Sequence, residues 1–350
     1  MVTTTPTPIS LDLATDADHA AWDQFVSAHP RASGYHLWAW RAVFERAFAH
    51  ETAYIVARSG DRMVGALPLV LFRSALFGQF AVSLPFVNYG GVLAEDEATA
   101  RALLDYASDL AKRRRLSHVE LRHTNALFPD LPSKQHKVGM HLPLPATAAI
   151  AWDSLDRKVR NQVRKAEKSD LTVQAGGAEL LDSYYDVFAR NMRDLGTPVY
   201  DRRFFREVFS QFPSETRVFL VQLQSTTIAA GITYQYGQRI EMPWASALKE
   251  HRSLCGNVLL YWHAIQYAIE QRGNIFDFGR STPHEGTYKF KEQWGAQPQP
   301  VCWEYRLLAG QTLPDQSPKN PKFKPAIAIW KHLPLSVTTF IGPRIVRAIP

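Results

Sequence analysis

Residues 251–295 read HRSLCGN, VLLYWHAIQYAIEQRG, NIFDFGR and STPHEGTYKFKEQWG. In order these are a polar loop, a helix, a short buried strand and a return segment rich in Gly, Lys and aromatic residues. Val258, Trp262, Ile265 and Ile269 recur at helical spacing. Gly256 and Asn257 suit a helix start and Gly273 a stop. No acid lies between Glu250 and Glu270, so the N–H groups at the helix start open onto a loop whose nearest charge is Arg252. A phosphate can bind at such a terminus, which makes Arg252, Gly256 and Asn257 candidate phosphate-binding residues. An ordinary capped helix is the competing reading.

The chain before this stretch repeats one plan. Helices at 180–195 and 202–212 precede a hairpin of 217–223 and 227–236, then a third strand at 239–246. The first half runs in the same order: helices at 20–26 and 38–48, a hairpin of 53–58 and 63–72, a third strand at 76–84, a helix at 97–115 and a strand at 118–122. The two halves share the order of elements at an offset of roughly 160 residues, without local identity. The expected fold class is therefore α/β, with two mixed, mostly antiparallel sheets flanked by helices. The expected domains are 1–145, 146–310 and a basic amphipathic tail at 311–350, and 350 residues suit two domains. The link at 131–145 is rich in Pro, Lys and His.

After the link the pattern predicts a helix over 154–168. Arg157, Arg160, Arg164 and Lys168 fall on one face, and Leu155, Val159 and Ala166 on the other. From Arg157 to Lys168 six bases face one acid, Glu167, a local charge of +5. One-signed charge on a short helix favours a phosphate or carboxylate partner over a merely solvated face. Arg160 and Arg164 are one turn apart and suit a single diphosphate, with Lys165 beside them.

Composition narrows the classes. Hydrophobic content of 46% and aromatic content of 12% supply real cores and exclude extensive disorder. Cys255 and Cys302 are the two cysteines, and their apolar surroundings suit a reducing cytoplasm. Residues 1–9 are Thr/Pro-rich, without the basic and apolar runs of a signal peptide. The formal charge is +7, and the six bases after Asp315, with no acid among them, leave the remainder near +1. Local anion sites follow, rather than sequence-specific nucleic-acid binding. That tail mixes its bases with Ile, Phe and Trp and is cut by Pro325, Pro334 and Pro343, which suits either peripheral contact with the cytoplasmic membrane face or packing on the second domain. No metal signature is present among the twelve histidines.

Other candidates sit at element ends. Asn88, Tyr89, Gly90 and Gly91 form a tight turn that suits close approach of a ligand or a plain turn. Asn191 and Arg193 lie where Gly196 and Pro198 end a helix. Asp277 closes a strand, and Arg280, Ser281 and Thr282 follow it, where α/β folds line ligand crevices. Tyr288, Lys289 and Lys291 come next, interleaved with Phe290 and Trp294, and suit a place where negative charge develops. A capped β-edge with solvated lysines is the alternative.

The segments at 157–173, 191–200 and above all FDFGRSTPHEGTYKFKEQWG at 276–295 resemble the FemAB family, and more narrowly the FemAB-like proteins associated with exosortase/PEP-CTERM systems. The ending, from Asn320 and Pro321 through Trp330 to Gly342, Pro343 and Pro350, is similar to that subgroup as well. The resemblance implies two tandem GNAT-type acyltransferase domains, the second ending at residue 310. Family members transfer an aminoacyl group from aminoacyl-tRNA to an amine of a peptidoglycan precursor, and relatives use thioester donors. Phe290-Lys291 matches the family's F-K pair, whose lysine offsets charge on the leaving group. The expected function is acyl or aminoacyl transfer to an amine or hydroxyl of a cell-envelope or exopolysaccharide precursor. No permanently bound cofactor is implied; acyl-CoA, acyl carrier protein or aminoacyl-tRNA would be the donor. Lys291 takes the charge of the leaving group, while Tyr288, Asp277 and Glu241 stand as open candidates for the proton relay. A tandem-GNAT module that binds an anionic envelope precursor without catalysis is the reading from another class.

Overall fold

A computed structural model describes residues 8–74, 77–308, 310–314 and 324–349. Leu76, used above in a strand, and residues 319–323 of the tail lie outside the described residues. Contacts divide the chain into two units. One is Met1–Gln135 with Val301–Pro314 and Ala348–Pro350; the other is His136–Pro300 with Asp315–Arg347.

The first unit contains β1 (Ile9–Leu13), α1 (His19–Ala28), α2 (Trp40–Phe48), β2 (Glu51–Ser59), β3 (Arg62–Ser74), β4 (Gly78–Val82), β5 (Leu93–Ala94), α3 (Glu97–Arg113), β6 (His118–His123) and β7 (Ser133–Lys134). Its sheet runs β1-β2-β3-β4-β6-β15-β7, with β5 on β3. The strand β15 (Cys302–Leu307) arrives from far along the chain and pairs antiparallel with β6. Leu103, Leu104, Ala107 and Leu110 recur at helical spacing on α3 and pack on Ile55, Leu67, Val119 and Leu121.

The second unit contains β8 (Val138–Pro143), α4 (Ala148–Ser154), α5 (Arg157–Glu167), β9 (Leu171–Gly176), α6 (Leu181–Leu195), α7 (Arg202–Gln211), β10 (Thr216–Leu223), β11 (Thr226–Tyr236), β12 (Arg239–Ala247), α8 (Gly256–Glu270), β13 (Ile275–Ser281), α9 (Gly286–Glu292), β14 (Gln297–Pro300), α10 (Lys324–Trp330) and α11 (Leu335–Val346). Its sheet runs β14-β8-β13-β12-β11-β10-β9, all antiparallel except β12 with β13. On one face, α8 and the buried Val159, Val163 and Ala166 of α5 share a core with Ile240, Met242, Phe276 and Phe278. On the other, Phe204 and Phe205 of α7 meet Trp244 edge-on at 5.3 and 5.6 Å.

Both sheets are mixed and flanked by helices, and the repeated order of elements is present. Several expectations change. The link at 131–145 holds β8, a strand inside the second sheet, because Met140 and Leu142 alternate into its core. Residues 301–310 belong to the first unit, through β15. The helix expected over 154–168 is α5, which starts three residues later at Arg157, and a separate short helix, α4, ends at Ser154. The break falls where Leu155 turns extended and the Asp156 carboxylate accepts the Lys158 N–H at 2.6 Å, capping α5. The return segment is a helix, α9, and not a β-edge. The described part of the tail is the helix pair α10–α11, whose inner side rests on the second unit.

Candidate active site

The parallel pairing of β12 with β13 covers only Arg239–Ile275, Ile240–Phe276 and Glu241–Asp277. Beyond it β12 continues along β11 to Ala247, and β13 continues along β8 to Ser281. The two strands therefore part just after Glu241 and Asp277, leaving a gap in the middle of the sheet. α8 follows the loop that leaves the end of β12, and its first residue, Gly256, lies against Ile228 of β11.

On the α8 side lies a cleft of about 820 Å³, lined among others by Lys158, Gln162, Arg252, Asn257 and Lys289. Asp156 and Glu292 also line it, and the Asp156 carboxylate is committed to its capping bond. The start of α8 has no side-chain cap and no acid in its first turn. Cys255 holds a left-handed conformation there, at φ 58°. Uncapped N–H groups, the helix dipole and three cations make this end of the cleft attractive to a diphosphate. Gly256 has another role. A Cβ on it would lie 3.0 Å from Ile228 Cδ1, so the glycine lets α8 approach β11 closely. Arg160 and Arg164 stand away from the cleft. Arg160 reaches the Asp153 carbonyl at 3.4 Å, and the Arg164 guanidinium lies 5.3 Å from the centre of the Trp152 ring. Lys165 lines a shallow hollow with Lys158, Arg157 and Asn161.

On the opposite face, strand alternation brings titratable groups into a row. Ile240, Phe276 and Met140 point to α8, so Glu241, Asp277 and His141 point the other way, adjacent in register across three strands. Asp277 is fully buried, and its Oδ2 lies 3.0 Å from His141 Nε2. Its Oδ1 accepts the Gly279 N–H at 2.8 Å. Lys291, on α9, is 8% exposed. Its ammonium donates to the Gly279 and Arg280 carbonyls at 3.2 and 3.0 Å. Burial pushes Lys291 down to about 8; Asp277 and Glu241 hold it up against that loss, while Arg280 and Lys137 push it further down. Thr282 accepts from Lys137 at 2.6 Å. Among the described residues, the buried Ser281 hydroxyl finds no hydrogen-bond partner. A hydroxyl in that state is unfavourable alone, and an ordered water or a ligand group would satisfy it.

Asn191 donates to Ser246 at 3.1 Å and so reaches the end of β12. Arg193 pairs with Asp194 at 2.9 Å, and Lys249 reaches the same carboxylate. Tyr288 lies in the apolar core on the α8 side, its ring 5.6 Å from that of His284. His141 and Lys137 escaped the sequence reading because they fell in the presumed link. The alternation of Val138, Met140 and Leu142 was the available signal.

The first unit has the same parting of strands, between β4 and β6 after Val82 and Glu120. There its own chain occupies the gap. Ser83 N–H donates to the Glu120 carbonyl, Gly90 N–H to the Arg122 carbonyl, and Arg122 N–H to Ser83 Oγ, all at 2.8–2.9 Å. A Cβ on Gly91 would stand 2.1 Å from the His123 ring, so only glycine fits. His123 accepts the Val92 N–H on Nε2 and meets Glu304 through Nδ1 at 2.6 Å. The start of α3 is capped by Asp96, which accepts the Thr99 N–H, with Glu97 in the first turn. The close approach allowed by the Gly90-Gly91 turn is thus made by the protein itself.

Residues 154–292 match the model of the acetyltransferase (GNAT) domain, so the second unit carries a GNAT-type acyltransferase domain. The whole chain has a tandem GNAT-type fold. It is similar to the crystal structure of FemX at TM-score 0.64 and 15% identity, over 85% of this chain and 97% of that one. It is similar also to a tandem GNAT protein from the clavulanic acid biosynthesis pathway, at TM-score 0.57 and 15% identity, over 87% and 100%. A third likeness is to the C-terminal domain of a putative lysylphosphatidylglycerol synthetase from Agrobacterium fabrum, at TM-score 0.56 and 10% identity, over 84% and 93%. At these identities the likeness is one of fold. No curated protein sequence matches the chain.

Proposed function

We propose that the second unit transfers an acyl or aminoacyl group from an activated thioester or ester to an amine or hydroxyl of a cell-envelope or exopolysaccharide precursor. The observation that carries this reading is the β12–β13 gap, with an open cationic cleft on one face and the Glu241, Asp277, His141 and Lys291 cluster on the other. A diphosphate-bearing donor such as acyl-CoA fits the cleft, with Lys158, Arg252 and Lys289 on its phosphates. Its acyl end would reach the gap. The acceptor amine attacks the acyl carbon, a C–N bond forms, and the C–S bond breaks. The charge appearing on the leaving sulfur meets the Lys291 ammonium. The proton lost by the amine passes to His141, whose Nε2–H is held by Asp277 and whose Nδ1 is then the acceptor. Arg280, Ser281, Thr282 and Asn191 lie where an acceptor would be aligned. Lys165, with Arg157 beside it, lines a hollow that adjoins the donor cleft at Lys158 and suits a further donor phosphate. FemX and the lysylphosphatidylglycerol synthetase domain support the envelope reading through their names and their shared fold. A cytoplasmic location and a peripheral contact with the inner membrane face accompany it.

The experiment incubates the purified chain with labelled acyl-CoA, acyl carrier protein and charged tRNA, against lipid-linked and nucleotide-linked sugars. Transfer from acyl-CoA is expected. Transfer from charged tRNA alone would reassign the donor. Precursor binding without turnover from any donor would make the chain a binding module instead.

A further inference from the structure

The helices α10 and α11 have two unlike sides. Inward, Ile327 sits on Gly196 so closely that a Cβ there would be 2.6 Å away, and Trp330 is buried. Thr338, Gly342 and Val346 are buried at four-residue spacing on α11, with Gly342 backed onto Val199. Packing on the segment 196–199 accounts for these residues. It does not account for the outward side. Phe340, Arg344 and Arg347 form an exposed stripe along α11, with Ile341 next to it. Phe340 is 67% exposed, Ile329 of α10 is 63%, and Leu195, adjoining Gly196, is 58%. The Arg344 guanidinium lies 4.1 Å from the centre of the Phe340 ring. Lys324 and Lys331 are exposed on and just after α10, and no acid occurs after Asp315.

Single exposed apolar residues are ordinary, but several of them among charges of one sign are not. We propose that α10, α11 and Leu195 form a docking surface for an anionic lipid bilayer. Phe340, Ile341 and Ile329 enter the boundary between headgroups and acyl chains, and Lys331, Arg344 and Arg347 meet lipid phosphates. Among the described residues no helix is long and apolar enough to cross a membrane, so the contact lies in the plane of the interface. The proposal rests on the envelope-acceptor reading for its purpose, since a lipid-linked acceptor is met at that surface. Its test needs no turnover.

Full-length protein is floated with vesicles of phosphatidylcholine alone or with added phosphatidylglycerol, at low and high salt. It is expected to float with the anionic vesicles at low salt, and to be released by salt. Phe340→Asp and Ile329→Asp are on the outward side, so each should keep the wild-type melting temperature and lower the partition coefficient about tenfold or more. Arg344→Gln with Arg347→Gln should weaken flotation and flatten its salt dependence. The proposal falls if wild type stays down with both vesicles, if it floats equally with neutral ones, or if folded Phe340→Asp floats like wild type. A wild-type dimer that Phe340→Asp splits, without flotation, would give the face to a second copy and also overturn it. A chain that floats but transfers nothing would sink the acyl-transfer reading and leave the docking surface standing.

Discussion

Lys291 combines two demands, since burial disfavours its charge while the Gly279 and Arg280 carbonyls and the nearby acids favour it. Lys291→Met should lower turnover by about 100-fold or more with little change in donor affinity, because the interaction strengthens only as the leaving group charges. Burial also gives a pH signature. With its value lowered from 10.5 to about 8, the unfolded chain holds more protons than the folded one between those limits. This residue therefore makes stability rise with pH across that window, and the rise should be missing in denaturation curves of Lys291→Met. His141→Gln should lower kcat by about 100-fold or more at near-normal KM. An unchanged kcat would make the His141–Asp277 contact structural. Ser281→Ala removes a buried hydroxyl that has no partner among the described residues, so thermal unfolding should show no loss of stability, or a gain of up to about 1 kcal/mol, while acceptor affinity falls. That Lys291 is a candidate was legible in the sequence, through the resemblance of Phe290-Lys291 to the family's F-K pair. Its burial was not, because α9 had to fold as a helix to turn it toward the end of β13.

At the scale of elements, α5 presents its charges in two directions. Lys158 lines the cleft, whereas Arg164 covers Trp152, which in turn lies 5.1 Å from Trp262 of α8. Lys158→Gln with Lys289→Gln should weaken donor binding in calorimetry by about tenfold or more, through loss of phosphate contacts. Arg160→Gln with Arg164→Gln should leave it unchanged and cost about 0.5–1 kcal/mol of stability, through the lost cation–π contact. The one-sided charge of this helix was readable from periodicity alone. Which of its bases meets the cleft depends on the break at Asp156, where a capping bond resets the phase of the helix after α4. The hairpins of β2 with β3 and β10 with β11 were legible because turn residues lie between β-branched runs. β8 and β15 were not, since each pairs with strands distant in sequence and is flanked by no turn that announces it.

At the scale of the whole molecule, the two units repeat one plan and differ at its centre. In the second, the gap between parallel strands is open on a helix start without a cap. In the first, residues 83–92 are bonded along the edge of β6, and Asp96 occupies the start of α3. Native mass spectrometry should therefore find one acyl-CoA bound per chain, and none retained when Lys158 and Lys289 are both replaced by Glu. Two donors per chain would mean that the loop of the first unit opens.

The sequence by itself determined the repeated order of elements, the mixed sheets with flanking helices, the acid-free helix start and the one-signed helix and tail. All of these are written in local spacing, turn chemistry and charge, which neighbouring residues specify without reference to the rest of the chain. The tertiary structure decided which segments complete each sheet, which gap is open, and that His141, Asp277, Glu241 and Lys291 meet. Strand pairing across long sequence separations and the exclusion of water from a charged side chain are properties of the assembled core, so no window of the sequence contains them.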